Sequence, residues 1–315
     1  MKVLISGCSG FVGKHVCELF LSAGHTVVSC GRNRYREELE HIPLDLGANI
    51  FKLPKDVKFD LFVHCAGLAH LDSEQEKPEK FFQVNLEGLK NICNCLQSAT
   101  AIPDIVYIST VAVYGREHGL RIDESMSPNP TTPYGVSKLQ AESFLTDWCD
   151  KIGVSCLIVR LPLVIGPDAP GNLGKMAEAI RSQRFFIFGE GSAARSWIDV
   201  RDIGRFILRV APTDGTYNLT SGHDENIHQI AHLLADGLGA RNPVSVPMVV
   251  GRMAAAVGQA GVSLGLKMPI DSTKFRKLTT SLTFSSQKAR NAFDWDPQAD
   301  FLSAFTGKLI RRVSR

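Results

Sequence analysis

The stretch KVLISGCSGFVG, residues 2–13, decides how the rest of this chain is interpreted. Residues 2–6 form a short apolar run typical of a buried strand, and residues 14–24 carry apolar side chains at helical spacing. The glycines between them allow a tight turn and the close backbone approach of a pyrophosphate. The amino terminus of the following helix offers N–H groups and the positive end of its dipole. This order of strand, glycine turn and helix predicts dinucleotide binding.

A second motif combines ISTVAVYG, residues 108–115, with YGVSK, residues 134–138. Tyr134 and Lys138 are four positions apart, so a helix starting near Pro133 places both on one face. An ammonium favours a nearby phenolate, so we expect Lys138 to lower the pKa of Tyr134. Ser109 and Thr110 end an apolar run typical of a parallel strand, at the edge where ligands bind, so either hydroxyl is a candidate for holding a substrate oxygen. The motif predicts a tyrosine acid/base beside a hydroxyl that holds substrate. The alternative is a chance spacing.

The composition is that of an ordinary globular enzyme. The chain has 315 residues, 44% hydrophobic and 21% charged, enough for a nucleotide-binding domain and a smaller lobe. A net charge of +3 does not favour a nucleic-acid partner. The eight cysteines show neither Cys-x-x-Cys nor metal-ligand spacing, so we expect buried thiols, no metal and a reducing cytoplasm. The first residues enter a strand directly, which predicts no signal peptide.

Strand and helix patterns alternate along the chain, which predicts an α/β doubly wound sheet. We place a dinucleotide-binding domain at 1–165 and a mostly substrate-binding lobe at 166–315, with some segments returning to the first domain. The polar, proline-containing residues 116–132 are interpreted as loop. The apolar residues 248–266 are interrupted by Arg252, Gln259 and glycines, so we predict a helix packed in the smaller lobe and no membrane partner.

Several motifs occur along the chain, namely GCSGFVG, HCAGL, ISTVAVYG, YGVSK and RLPLVIGP, together with RSWIDVRD and a weaker DWDP. In these motifs the chain resembles an extended short-chain dehydrogenase/reductase of the nucleotide-sugar epimerase, dehydratase and reductase group. The resemblance implies a Rossmann-type sheet with a smaller C-terminal substrate-binding lobe. It also implies an NAD(P) cofactor, a UDP-, dTDP- or GDP-hexose substrate and a role in polysaccharide biosynthesis. A homodimer is implied through a four-helix seam of the helix near 79–98, with its kinking Asn85, and the Tyr134 helix.

The resemblance also assigns roles to individual residues. Tyr134 is the acid/base, Lys138 holds the nicotinamide ribose, and Thr110 touches the reacting sugar oxygen, with Ser109 as its neighbour. The implied cofactor contacts are Gly7, Ser9, Gly10, Phe11, Val12, Gly13, Asp45, Leu46, Ala66, Gly67, Leu68, Ser109, Tyr134, Lys138 and Leu161. The implied substrate contacts are His70, Thr110, Val111, Tyr134, Asn172, Lys175 and Arg195. Arg195 is the predicted clamp for a diphosphate, since a guanidinium binds phosphate oxygens in pairs.

The end of the second predicted strand bears on the choice of cofactor. An acidic residue there accepts hydrogen bonds from the adenosine ribose and suits NAD, whereas arginine suits the extra phosphate of NADP. This chain has Gly31, Arg32, Asn33 and Arg34. Arg32 and Arg34 therefore favour NADP, with solvated surface arginines as the alternative.

The two residues before Val113 limit which reactions the chain is expected to catalyse. Val111 and Ala112 stand where the resembling 4,6-dehydratases carry an Asp-Glu pair, and expelling hydroxide without an acid is costly, so dehydration is not favoured. Hydride transfer at C4 of the sugar remains. The chain is then a 4-ketoreductase consuming NADPH or a 4-epimerase with tightly bound NAD. A non-catalytic dinucleotide sensor is a third hypothesis, which the intact Thr110, Tyr134 and Lys138 disfavour.

Overall fold

The computed structural model describes residues 1–299 apart from 49, 55–56, 70–76, 167–168, 170–171, 267 and 269. Fifteen strands are found there, in chain order β1 Lys2–Ser6, β2 Thr26–Gly31, β3 His41–Asp45, β4 Ile50–Phe51, β5 Leu61–His64, β6 Asp104–Thr110, β7 Gly119–Ile122, β8 Cys156–Leu161, β9 Leu163–Ile165, β10 Phe186–Phe188, β11 Ala194–Asp199, β12 Gly215–Asn218, β13 Asp224–Asn226, β14 Val244–Val246 and β15 Leu282–Phe284.

The α-helices in the same ranges are α1 Phe11–Ser22, α2 Glu79–Phe82, α3 Gly88–Gln97, α4 Pro133–Ile152, α5 Asn172–Arg181, α6 Val200–Val210, α7 Ile227–Leu238, α8 Met248–Ser263, α9 Ser272–Thr279 and α10 Gln287–Phe293. A π-helical turn, Gln83–Glu87, joins α2 to α3, and a 3₁₀ turn, Val111–Tyr114, follows β6. The helix predicted near 79–98 is therefore present, and the π-helical turn that interrupts it contains Asn85.

Eight strands form one large sheet in the order β12-β8-β6-β5-β1-β2-β3-β4. All neighbours in it are parallel except β3 and β4. Strands β5 and β8 are buried along their whole length, as a sheet covered on both faces requires. One apolar core lies between the sheet and α1 with α6, and a second lies on the side of α3 and α4. The predicted Rossmann-type doubly wound sheet is confirmed.

Smaller sheets are built mainly from the second half of the chain. One has the order β13-β11-β15-β7, with β9 pairing to β11, and β10 pairs with β14 in parallel. The interpretation of 116–132 as loop is wrong at β7, which pairs with the distant β15. A strand stabilised by a partner about 160 residues away has little local signal. From the second half, β12 joins the large sheet and α6 packs on α1. The division at 165 stays a prediction.

The apolar stretch 248–266 contains a helix, α8, as predicted. Within the described ranges, no helix combines the length and the apolar character needed to cross a membrane. Packing of α8 departs from the expectation in one respect, because its glycines and Ala255 face the protein, whereas its large apolar side chains other than Met248 face outward.

Candidate active site

The glycine turn after β1 lies at the carboxyl edge of the large sheet, next to the loop after β5. Gly7 has a positive φ of 74°, and a Cβ at Gly13 would lie 2.2 Å from the Gly7 carbonyl oxygen. A Cβ at Gly7 would meet the Ala66 backbone nitrogen at 2.9 Å. Both positions therefore require glycine. Gly10 begins α1, and no side chain in the described ranges caps that helix, so its first N–H groups suit an anion.

Asn85 fastens the loop after β5 to the helix that carries the tyrosine. Its Oδ1 accepts a hydrogen bond from the Leu68 N–H at 2.7 Å, and its Nδ2 donates to the Leu68 carbonyl at 3.0 Å and to Ser137 Oγ at 3.1 Å. Gly67 in this loop is exposed. The backbone of residues 66–68 is thus held in place with one face accessible. These two loops fit a dinucleotide phosphate backbone.

Thr110 and Tyr134 meet at the end of β6. The Thr110 hydroxyl lies close enough to the Tyr134 phenol to affect its pKa, and Thr110 Oγ1 accepts a hydrogen bond from the Ala112 N–H at 3.2 Å. Thr132 caps α4 by accepting from the Gly135 N–H at 3.1 Å, and Pro133 occupies the first turn, as the sequence predicted. A Cβ at Gly135 would lie 2.8 Å from the Ala112 carbonyl oxygen. The glycine therefore lets the start of α4 approach the 3₁₀ turn and bring Tyr134 to Thr110.

Lys138 lies one helical turn further along α4, under the same strand end. Its Nζ donates to the Ile108 carbonyl at 2.7 Å and sits 3.9 Å from the centroid of the Tyr107 ring. The side chain is buried. Burial lowers the pKa of Lys138 to about 7, while the nearby Glu142 carboxylate acts in the opposite direction. The structure therefore brings the three predicted residues, Thr110, Tyr134 and Lys138, to one sheet edge.

The profile of the NAD dependent epimerase/dehydratase family matches residues 3–220 of the sequence, which include the glycine turn, Thr110, Tyr134 and Lys138. The chain belongs to this family. It is an NAD(P)-dependent enzyme of the short-chain dehydrogenase/reductase class, as the motifs predicted.

Individual relatives are more distant. GDP-6-deoxy-D-mannose reductase of Pseudomonas aeruginosa is 31% identical over 249 residues, which are 75% of this chain and 79% of the relative. Among solved structures, RMD of Pseudomonas aeruginosa complexed with NADPH has a TM-score of 0.72 at 24% identity, covering 100% of this chain and 99% of that one. UDP-glucose 4-epimerase of Thermus thermophilus complexed with NAD has a TM-score of 0.73 at 22% identity, covering 100% and 98%. These two structures share the fold of this family member.

The tyrosine of this family member departs from the sequence prediction in its pKa. Burial raises the pKa of Tyr134, and the hydrogen bond from Thr110 opposes that shift. The predicted lowering by Lys138 is therefore wrong for this structure. The Lys138 ammonium is directed at the Ile108 carbonyl and the Tyr107 ring. Burial also lowers the pKa of Lys138, so a smaller fraction of this side chain carries a charge. The spacing of four residues placed the two groups on one helix face but did not fix where the lysine points.

A buried polar network beside the site was not predicted. The Glu142 carboxylate accepts a hydrogen bond from Ser109 Oγ and pairs with the Arg160 guanidinium at 2.7 Å. Arg160 also donates to Tyr114 Oη at 3.0 Å, and Tyr114 donates to Asn218 Oδ1 at 2.9 Å. Ser109 thus serves this network, which links β6, α4, β8 and β12. The signal in the sequence was a glutamate four residues after Lys138 and an arginine inside an apolar strand.

The other predicted cofactor residues surround the same edge. Ser9 is exposed and Phe11 and Val12 are half-buried at the start of α1. Asp45 is the last residue of β3, and its carboxylate accepts a hydrogen bond from the Gly47 N–H at 3.0 Å. Leu46 is buried against Gly88. Leu161 ends β8 and is buried. Their contacts with a cofactor stay predictions.

The predicted phosphate clamp has a different role in this structure. Arg195 donates to the Ala194 carbonyl at 2.9 Å and to the carbonyls of Thr280 and Lys277. Its guanidinium therefore ties β11 to the end of α9, and burial lowers its pKa. The expectation that Arg195 binds a diphosphate is not supported, because its guanidinium donates to these carbonyls. The sequence alone could not show that they lie beside it.

The structure describes the side chains of two of the four remaining predicted substrate residues. Val111 lies beside Thr110 in the 3₁₀ turn. Lys175 is exposed on α5, in an open pocket that it lines with Glu178 and Arg184. His70 and the side chain of Asn172 lie outside the described residues. Their roles stay predictions.

The buried charge of Lys138 predicts a pH dependence of stability. Its pKa falls from an ordinary 10.5 to about 7 on folding, so between these values the unfolded chain binds a proton that the folded chain lacks. This residue therefore makes the cofactor-free protein gain stability as pH rises above 7. We expect Lys138→Met to raise the melting temperature by about 2–4 °C at pH 6 and to remove this gain.

The measurement is the wild-type minus variant difference in melting temperature from pH 6 to 9, which cancels the titration of the buried thiols. Lys90→Met is the matched control, since Lys90 is an exposed partner of Glu87 at 2.7 Å, and its difference should stay near zero throughout. A melting-temperature difference between the wild type and Lys138→Met that does not change with pH contradicts the lowered pKa of Lys138.

Proposed function

We propose that this enzyme is an NADPH-dependent reductase of a 4-keto sugar linked to a nucleoside diphosphate. The observation that carries the proposal is that Thr110 at the end of β6 lies beside Tyr134 on α4, with Lys138 one turn further along that helix and bound to the Ile108 carbonyl of the same strand. Val111 and Ala112 supply no acid for expelling a hydroxyl group. The site therefore suits reduction or oxidation at one carbon.

The chemistry follows from the protonation states of the site residues. Burial raises the pKa of Tyr134, so its phenol is protonated at neutral pH and can donate to the C4 oxygen as that oxygen gains charge. Thr110 holds the same oxygen by a hydrogen bond. The bound nicotinamide supplies the hydride to C4. Lys138 would hold the nicotinamide ribose.

Two observations favour reduction over epimerisation. Arg32 is exposed directly after β2, at the position that suits the phosphate of NADP. A GDP-6-deoxy-D-mannose reductase is 31% identical to this chain over 249 aligned residues. Arg34 is the weaker candidate, because its guanidinium donates to the Glu37 carbonyl at 3.0 Å and the Leu39 carbonyl at 3.3 Å. The alternative is a 4-epimerase that retains NAD.

For the diphosphate of the substrate, we propose Arg276 in place of Arg195. Its side chain on α9 is about half exposed and pairs with Glu117 at 2.5 Å across the turn after Gly115. An exposed ion pair contributes little to stability, so a phosphate can replace the carboxylate at small cost. A UDP-, dTDP- or GDP-linked hexose fits this assignment.

The resemblance also supports a cytoplasmic homodimer acting in polysaccharide biosynthesis. The proposed seam consists of α3 and α4, which pack side by side on the large sheet, with Lys90 Nζ 5.9 Å from the Phe144 ring centroid between them. Sedimentation of the purified protein tests the dimer.

The deciding experiment identifies the cofactor. The purified protein is denatured to release any retained dinucleotide, and NADH and NADPH are titrated into the cofactor-free protein. Tighter NADPH binding, followed by NADPH oxidation with a UDP-, dTDP- or GDP-4-keto sugar, supports the reductase. Retained NAD and interconversion of C4 epimers without added cofactor would establish the epimerase.

Replacing Arg32 tests the cofactor assignment directly. We expect Arg32→Ala to raise the Kd of NADPH about tenfold or more and to leave the Kd of NADH within twofold, because a hydrogen bond to a charged phosphate contributes about 1.5–3 kcal/mol. Arg36→Ala is the control, since Arg36 is also exposed but pairs with Glu18 at 2.6 Å. Equal effects on NADH and NADPH contradict the role of Arg32.

A further inference from the structure

The outward side of α8 is apolar. Val249, Met253, Val257 and Leu264 recur at helical spacing on one side of α8 and its end, and we call these four residues the outer face. They are exposed by 63%, 65%, 68% and 79%. Among the described residues, twelve large apolar side chains are exposed, and nine lie in this corner of the molecule: Phe186, Val244, Val249, Val250, Met253, Val257, Val262, Leu264 and Leu266.

The inward side of α8 consists of small residues that contact the protein closely. Gly251, Ala255, Gly258 and Gly261 are its buried positions. A Cβ at Gly251 would lie 2.5 Å from the rings of Phe188 and Phe275, and one at Gly258 would lie 1.8 Å from the Ile270 carbonyl oxygen. The helix cannot rotate to bury its large side chains without losing this contact. The arrangement is the reverse of an ordinary surface helix, which buries its large apolar residues.

The charge around the outer face is positive. Residues 241–280 contain six lysines and arginines and one acidic residue, a net charge of +5, whereas the whole chain carries +3 and the rest therefore −2. Arg252 is exposed on the polar edge of α8, and Lys274, Arg276 and Lys277 lie on α9, which packs against it. Asp271, the acidic residue, caps α9 and pairs with Lys274 at 3.2 Å. A partner of negative charge therefore fits this corner.

We propose that the outer face of α8 docks on the surface of an anionic phospholipid membrane. Large apolar side chains beside lysine and arginine are the chemistry that recognises an anionic bilayer surface, where apolar groups enter between headgroups and basic groups meet phosphates. A second copy fits less well. A two-fold interface places the same patch against itself and would bring the basic residues of two copies together. The proposal replaces the sequence-based expectation of no membrane partner and does not depend on which sugar is reduced.

The test is cosedimentation of the full chain with vesicles of phosphatidylcholine alone or with one-third phosphatidylglycerol, at low and high salt. We expect binding to the anionic vesicles that weakens with salt, and a loss of at least about tenfold in the triple variant Val249→Ser, Met253→Ser and Val257→Ser. Arg252→Gln with Lys277→Gln should also weaken binding. Leu120→Ser is the matched control, since Leu120 is a 74% exposed apolar residue on β7, and its binding should equal that of the wild type.

Each other outcome overturns the proposal. No wild-type binding at low salt, or equal binding of wild type and triple variant, excludes a lipid-facing role for these residues. A dimer that the triple variant converts to a monomer, without vesicle binding by either, assigns the face to a second copy. Circular dichroism verifies that each variant is folded, because replacing exposed side chains should leave the spectrum of the wild type unchanged.

Discussion

Tyr134→Phe is expected to reduce turnover by about 10³-fold while the Kd of the dinucleotide changes by less than twofold. In the proposed mechanism the phenol donates a proton to the C4 oxygen, and removing a general acid costs about 10²–10⁴-fold. The ring remains, so its contact with Phe81, 5.8 Å between centroids, and the start of α4 are preserved. The measurement is kcat with saturating cofactor, beside a binding titration.

Tyr107→Phe is the control for this prediction. Its hydroxyl is buried without a hydrogen-bond partner among the described residues, so its removal loses no interaction and keeps the ring beneath Lys138. We expect turnover near that of the wild type. Turnover of Tyr134→Phe within tenfold of the wild type would refute Tyr134 as the acid. Loss of dinucleotide binding in Tyr134→Phe would instead show that the change disturbs the cofactor site.

Arg160→Met is expected to lower the free energy of unfolding by about 3–5 kcal/mol, because it leaves the Glu142 carboxylate buried without its partner. The side chains of Arg160 and Glu142 are 8% and 4% exposed. The change also removes the donor to Tyr114 Oη. Urea unfolding followed by circular dichroism measures the loss, with cofactor absent to separate stability from binding.

Two further variants separate charge from packing in this prediction. Arg160→Met combined with Glu142→Leu should be more stable than Arg160→Met alone, since no unpaired buried charge remains. Arg181→Met is the control, because Arg181 pairs with Glu178 at 3.1 Å on the surface of α5 and should change stability by less than about 1 kcal/mol. A loss below about 1 kcal/mol in Arg160→Met would show that Glu142 takes up a proton or another partner.

The sequence determined the large sheet and the spacing of the predicted catalytic residues because these signals are local. A strand, a glycine turn and a helix within residues 2–24 specify the dinucleotide fold, and Gly7 and Gly13 occupy positions where a Cβ would collide with backbone. A spacing of four residues on a helix places Tyr134 and Lys138 on one face wherever the helix lies. The structure confirms the fold and gathers Thr110 with these two residues.

Only the tertiary structure decided which groups surround those residues. Lys138 meets a carbonyl of β6, and Arg195 is occupied by carbonyls at the end of α9, because segments 30 and 85 residues away fold against them. The pairing of Glu142 with Arg160 and of β7 with β15 likewise joins distant segments. The glycines of α8 determine which side of the helix faces the protein, because they pack more closely than its large side chains could. The charge state of Lys138, the partners of Arg195 and the exposure of the α8 side chains depend on these long-range contacts, which no short stretch of sequence encodes.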